Sequence, residues 1–90
     1  MSLLGDPGAW DEVKARFPIG ATVKGVVEQV APFGVFVGLE YGGVGLLRVP
    51  DMAGDSPKQL ADYPQVGETV TATVIWHEDR NRQVTLSQRA

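Results

Sequence analysis

Six side chains in this sequence have the types and placement to hold another molecule: Phe33, Phe36, Lys24, Arg48, Asp79 and Arg82. The two rings stand in the stretch VAPFGVFVGL, residues 30–39. At the two-residue period of a strand, Val35, Val37 and Leu39 point one way and form an apolar surface, while Gly34, Phe36 and Gly38 point the other. A ring between two residues without side chains is expected to lie open on the outer face, and a bend before Gly34 would bring Phe33 onto the same surface. Open aromatic faces beside guanidinium groups do non-covalent chemistry: they stack on flat ring systems and attract anions. The competing arrangement is structural, with Phe33 capping the end of a barrel and Phe36 half-covered by a long connection. The residues alone leave both open.

Catalysis finds no such support. His77 is the only histidine, so neither a histidine metal cluster nor a triad can be built, and a solvent-facing strand end is its expected place. The absence of cysteine excludes a disulfide framework and thiolate metal sites, and fits a reducing cytoplasm. Asp51, Asp55 and Asp62 share one connection, but their spacing is not that of a calcium loop. No nucleophile has a base partner by spacing and no phosphate-binding loop appears. No cofactor is expected. No long apolar run or signal-peptide pattern points to a membrane or to export. The net charge of −3 means that any polyanion must be held by a local cationic cluster together with non-ionic contacts.

The elements that must position these residues follow from pattern. Ninety residues make one domain with a small core. Near the start, Asp6 can cap a helix, Pro7 suits its first position, and Trp10, Val13 and Phe17 recur at helical spacing. Asp11 and Glu12 precede Lys14 and Arg16, the order that suits a helix dipole, and Pro18 and Gly20 stop the helix. Residues 1–19 are thus read as an N-terminal segment whose helix packs on a β-domain spanning 20–90. Candidate strands are Thr22 to Val30, Gly34 to Glu40, Val44 to Val49, Glu68 to His77 and Gln83 to Gln88. Lys24 shares its face with Val26 and Glu28, opposite Val23 and Val27. Trp76 is ambiguous by pattern, and its alternation with Val70, Ala72 and Val74 suggests the core. The connection between the third and fourth strands carries a possible helical turn, with Ser56 capping and Pro57 following, and Tyr63 is expected to pack beneath it. Five short strands with a long third connection match the five-stranded OB-fold, a Greek-key barrel.

The stretches VKGVVEQVAPFGVFVGLEYGGVGLLRV and VGETVTATVIWHEDRNRQVTLSQR resemble the S1 domain, an RNA-binding OB-fold repeated in a bacterial ribosomal protein. The matching positions are Gly25, Val27, Val30, Phe33, Gly34, Phe36, Val37, Leu39, Gly45, Leu46, Leu47, Val66, Gly67, Val70, Asp79, Val84, Leu86 and Ser87. Two positions depart from the pattern. Arg48 stands where the family usually has histidine, and Gln83 stands where it usually has arginine, with Arg80 and Arg82 just upstream.

The resemblance implies non-catalytic binding of single-stranded RNA with low sequence specificity. Phe33 and Phe36 would stack on bases. Arg48, supported by Lys24 and Arg82, would contact phosphates or bases, and Asp79 would accept hydrogen bonds from base edges or ribose hydroxyls. A monomer in the cytoplasm is expected, with ribosomal or RNA-processing proteins as further partners. The alternative is an OB-fold that docks on a protein of such a complex and binds RNA weakly or not at all; the acidic balance and the two departures favour it.

Overall fold

The β-branched alternation after Gly20 becomes five strands that close on themselves. The computed structural model describes residues 10–53 and 60–89. Helix α1 spans Trp10–Arg16, and strands β1 to β5 span Thr22–Ala31, Gly34–Gly38, Val44–Arg48, Thr69–Glu78 and Gln83–Ser87. The caps proposed for Asp6, Pro7, Ser56 and Pro57 lie outside the described residues. Short 3₁₀ turns occupy Glu40–Gly42, Val49–Asp51 and Leu60–Asp62. The strand order is β1-β2-β3-β5-β4 with β4 returning to β1, and only the β3–β5 pair is parallel. This is the five-stranded OB-fold barrel, and the long third connection makes its crossing.

β1 is long because two neighbours share it. Thr22 to Val26 pair with β4, Val26 to Ala31 pair with β2, and Val26 pairs with both. A bulge between Val27 and Gln29 leaves Glu28 unopposed. Beyond it the parity of the strand reverses: Val30 packs on the main core, and Ala31 joins the outer surface. The interior is filled by Val23, Val27, Val35, Val37, Leu47, Val70, Val74, Val84 and Leu86. Burying each such side chain stabilises the fold by roughly 1.5–3 kcal/mol.

Each barrel end has a plug. At one end, α1 contributes Trp10 and Val13 to the core. His77 is not the solvent-facing residue expected. Its Nε2 donates to the Phe17 carbonyl at 2.7 Å, and its ring meets the edge of Trp10, with centroids 6.1 Å apart. At the other end, Met52 and Tyr63 are buried, and the Tyr63 hydroxyl donates to the Pro32 carbonyl at 2.7 Å. That bond ties the long connection to the turn between β1 and β2.

The glycines around Phe36 serve the protein's own packing. A Cβ on Gly34 would run into the Leu47 carbonyl oxygen and come within 2.8 Å of Arg48 Cα, so the backbones of β2 and β3 meet there. A Cβ on Gly38 would collide with the Glu28 carboxylate. The room that the sequence suggested for a base above Phe36 is already taken. Gly34→Ala is expected to destabilise the fold by roughly 1–3 kcal/mol or more, because backbone, not a flexible side-chain tip, must yield. Urea unfolding measures this; an unchanged midpoint would rule out the close approach.

Candidate nucleic-acid interface

The aromatic pair forms where β1 turns into β2. Phe33 lies in that turn, 52% exposed, and meets Phe36 edge to face with centroids 5.8 Å apart and planes at 89°. Such a contact favours the pair by about 0.5–1.5 kcal/mol beyond burial. Phe36 is only 7% exposed, packed with Ala31, Val44 and Leu46 in a small cluster on the outside of the barrel. The expectation of an open Phe36 is therefore corrected. Its side of the strand was read rightly, but the turn folds Phe33 against it. Phe33 is the ring that solvent reaches, and Phe36 is the support that fixes its angle.

Arg48 belongs to the same end. It pairs with Gly34 across β2 and β3, and the next residue, Val49, donates its N–H to the Phe33 carbonyl at 3.0 Å. Its side chain is exposed. Phe33, Phe36 and Arg48 are thus brought together by adjacent backbone. Lys24 is not. Phe36 is opposite Gln29 in β1, whereas Lys24 lies further upstream, opposite Thr71 of β4. Five residues of strand, about 16 Å, separate it from the rings' level, so Lys24 stands apart from the aromatic pair.

Asp79 and Arg82 sit in the turn between β4 and β5. Thr85 is level with Leu46, so this turn lies at the opposite end of the outer face from Arg48, again about 16 Å along the strands. The Glu78 carboxylate shapes the turn, accepting from the N–H of Arg80 at 3.2 Å and of Asn81 at 2.9 Å. Arg82 adopts a left-handed backbone (φ 52°) that turns the chain into β5. Among the described residues neither Arg48 nor Arg82 has an ion pair.

Asp79 has partners that its position in the sequence did not reveal. Trp10 Nε1 donates to Asp79 Oδ1 at 2.8 Å, and Lys14 Nζ reaches the same oxygen at 2.9 Å. These bonds, Lys14 first and Trp10 second, hold the carboxyl below its ordinary value of 3.8. α1 therefore delivers a third cation, Lys14, to this end of the face. Its side chain is 33% exposed and its Nζ lies 5.5 Å from the Trp10 ring centre. Helical periodicity placed Lys14 in the last turn, but no local signal pairs it with a residue 65 positions away.

Trp76 departs most from the sequence reading. Expected in the core, it is 61% exposed. The ladder between β4 and β5 shifts between Val74 and Trp76, which puts Trp76 opposite Thr85 on the outer surface. Glu28 also lies on the outside, over Gly38, with its Oε1 buried and lacking a hydrogen-bond partner among the described residues. No cluster of three or more metal-ligating side chains occurs among the described residues. None of their helices is long and apolar enough to cross a membrane.

Residues 16–89 match the family described as the S1 RNA binding domain. The chain is 35% identical over 81 residues to the small ribosomal subunit protein bS1 of Chlamydia muridarum, covering 90% of this chain and 14% of that protein. It is 33% identical over 78 residues to a 4-hydroxy-3-methylbut-2-enyl diphosphate reductase of Clostridium tetani, covering 87% of this chain and 12% of the reductase. The chain thus corresponds to a small part of each relative. Among solved structures, the solution structure of GSP13 from Bacillus subtilis superimposes with a TM-score of 0.69 at 26% identity, over 81% of this chain and 56% of that one.

The Asp79 contacts set a pH dependence. A carboxyl whose value is lowered by folding adds stability that is complete above its unfolded value. That stability disappears as the pH falls through the lower, folded value. The parent protein should therefore melt above Asp79→Asn near neutral pH, and the difference should vanish on acidification below the ordinary carboxylate range. Thermal melts of both proteins from pH 7 down to about pH 2 test this. A difference that is constant across the range would show that Asp79 acts through its shape alone.

Proposed function

The chain belongs to the S1 RNA binding domain family, and we infer that it binds single-stranded RNA, with low sequence specificity and without catalysis, across the outer face of β2 and β3. OB-folds take oligonucleotides on this face, between the β1–β2 and β4–β5 turns. Here those two turns carry Phe33 at one end and Asp79 with Arg82 at the other. The observation that carries the reading is the half-exposed Phe33, braced edge-on by buried Phe36 beside exposed Arg48. A braced ring offers a base a flat face at little entropic cost. Arg48, with its planar guanidinium, can hold a phosphate or stack. Arg82 extends the cationic contact to the far end, while Asp79 pairs with Lys14 and shapes that end. The protein is read as a cytoplasmic monomer that works beside ribosomal or RNA-processing proteins.

The net charge of −3 favours a second reading, docking on a protein partner with little RNA contact. Salt and one ring separate the two. Phe33→Ala should weaken a single-stranded decamer by about 1–3 kcal/mol while moving the melting temperature little. Phe36→Ala should cost stability as well, since that ring is buried. With about two to four phosphates neutralised, log K against log salt should slope about −1.5 to −3. Fluorescence anisotropy of a labelled decamer measures both effects. No binding at low salt would leave the docking reading standing.

A further inference from the structure

We propose that Trp76 is a further base-stacking platform, which carries the RNA path from β2 and β3 across β5 onto β4. The inference rests on the RNA-binding reading and extends it to a strand and a residue outside the aromatic pair. Val74 is opposite Leu86, but the next ladder pair is Trp76 with Thr85, so Ile75 is unopposed. Without that extra residue Trp76 would share the parity of Val70, Ala72 and Val74, all buried at 7% or less. With it, an indole that the core would have received stands 61% exposed. Bulges re-aim side chains in this way, and exposing so large an apolar surface forgoes the stabilisation that its burial would give.

The register shows where the indole is aimed. Phe36 is directly opposite Leu46, Leu46 is opposite Thr85, and Thr85 is opposite Trp76. Directly paired residues share one face of a sheet, so these four form one row across the outside of the barrel. The row contains no acidic residue, and its middle members, Leu46 and Thr85, are half-buried and low. Three interstrand spacings, about 14 Å, separate the Phe36 and Trp76 backbones. At about 3.4 Å per stacked nucleotide, a strand following the outside of that wall needs at least about four nucleotides, within the site size of a single OB-fold. The row starts in the aromatic cluster at Phe36 and Leu46 and reaches Trp76 through Thr85, and Arg82 immediately precedes β5, three residues before Thr85. Single-stranded RNA is the occupant that fits: sequence-tolerant binding uses ring faces, and every base offers one.

The test compares a uridine decamer with a uridine trimer, which is too short to bridge the two ring sites. In the parent protein, the decamer should shield tryptophan emission from acrylamide. Trp76 dominates that quenching because Trp10 is only 7% exposed. Trp76→Ala should weaken the decamer by about 5- to 100-fold. Trp76→Phe should restore most of the loss. Binding of the trimer at Phe33 and Arg48, followed by amide shifts, should be unchanged in both variants, and matched circular dichroism melts establish that the barrel is intact. If the parent and Phe33→Ala behave as expected but Trp76→Ala binds the decamer like the parent, the extension is wrong and the RNA reading stands. Acrylamide access to Trp76 that the decamer leaves unaltered likewise overturns the extension and leaves the indole to a protein partner. Equal weakening of trimer and decamer would show that Trp76 acts through the fold, and overturns the proposal. A parent that binds neither RNA at low salt overturns both readings together.

Discussion

Closure of the barrel depends on one strand pairing on both sides along its length. β1 bonds to β4 through its first half and to β2 through its second, and it can do so only by bending sharply at the crossing. Gly25, buried just before the shared residue Val26, permits that bend. A Cβ there would lie 2.6 Å from Val37 Cγ1 and 3.0 Å from Leu39 Cδ2, inside the barrel wall. The bulge at Glu28 completes the bend and adds local twist. Once β1 is shared, no strand in the circuit has a free edge, which is how a chain this small avoids both aggregation and an open core. The penalty is local: Glu28 is left with a buried oxygen above Gly38 that has no hydrogen-bond partner among the described residues.

The same constraint sets the outer face. Bulges in β1 and β4 each reverse the inside–outside parity of the residues beyond them, sending Ala31 and Trp76 outward. Ala31 becomes part of the bed under Phe36, which in turn braces Phe33. Trp76 emerges on the far side of β5, in line with that bed. The irregularities needed to curve a short sheet into a barrel thus also build an apolar band across its exterior. The two end plugs hold the band's turns. Tyr63 fixes the Phe33 turn through Pro32, and α1 fixes the Asp79 turn through Trp10 and Lys14.

What the sequence made legible was parity and type. The alternation in β2 separated Val35 and Val37 from Phe36, and the stripe of Trp10 and Val13 marked the inner side of α1. Element bounds fell within a residue or two of those observed. The failures share one physical origin. A period of two says which side a residue takes but not what covers it, so Phe36 was assigned to the right side and the wrong exposure. It also cannot see an inserted residue, because a bulge is defined by the partner strand; Trp76 was lost that way. Lys14 and Asp79 meet across 65 residues, and Gly34 and Gly38 answer to Leu47 and Glu28, none of which is local. The family resemblance named Phe33 and Arg48 as site residues, and the strand register places them at the same end of the barrel.

Magnitudes decide how an acidic protein can hold a polyanion. Each exposed charge pair in water contributes about 0–1 kcal/mol and weakens with salt, whereas each base stacked on a ring contributes about 1–3 kcal/mol and does not depend on net charge. Lys14 is paired with Asp79, so the two together present little net charge to a phosphate. Arg48 and Arg82, one near each end of the face, are then suited to fixing the direction and reach of a strand, with too few charges to supply most of its affinity. Glu28 sits above Gly38 on the β1 side of the face, with Lys24 on the same strand. Attraction at the two ends leaves the aromatic band as the route between them. The chain's net charge and its ring placement are therefore compatible: a face that binds through stacking can tolerate an acidic body, provided its few cations stand where the strand enters and leaves.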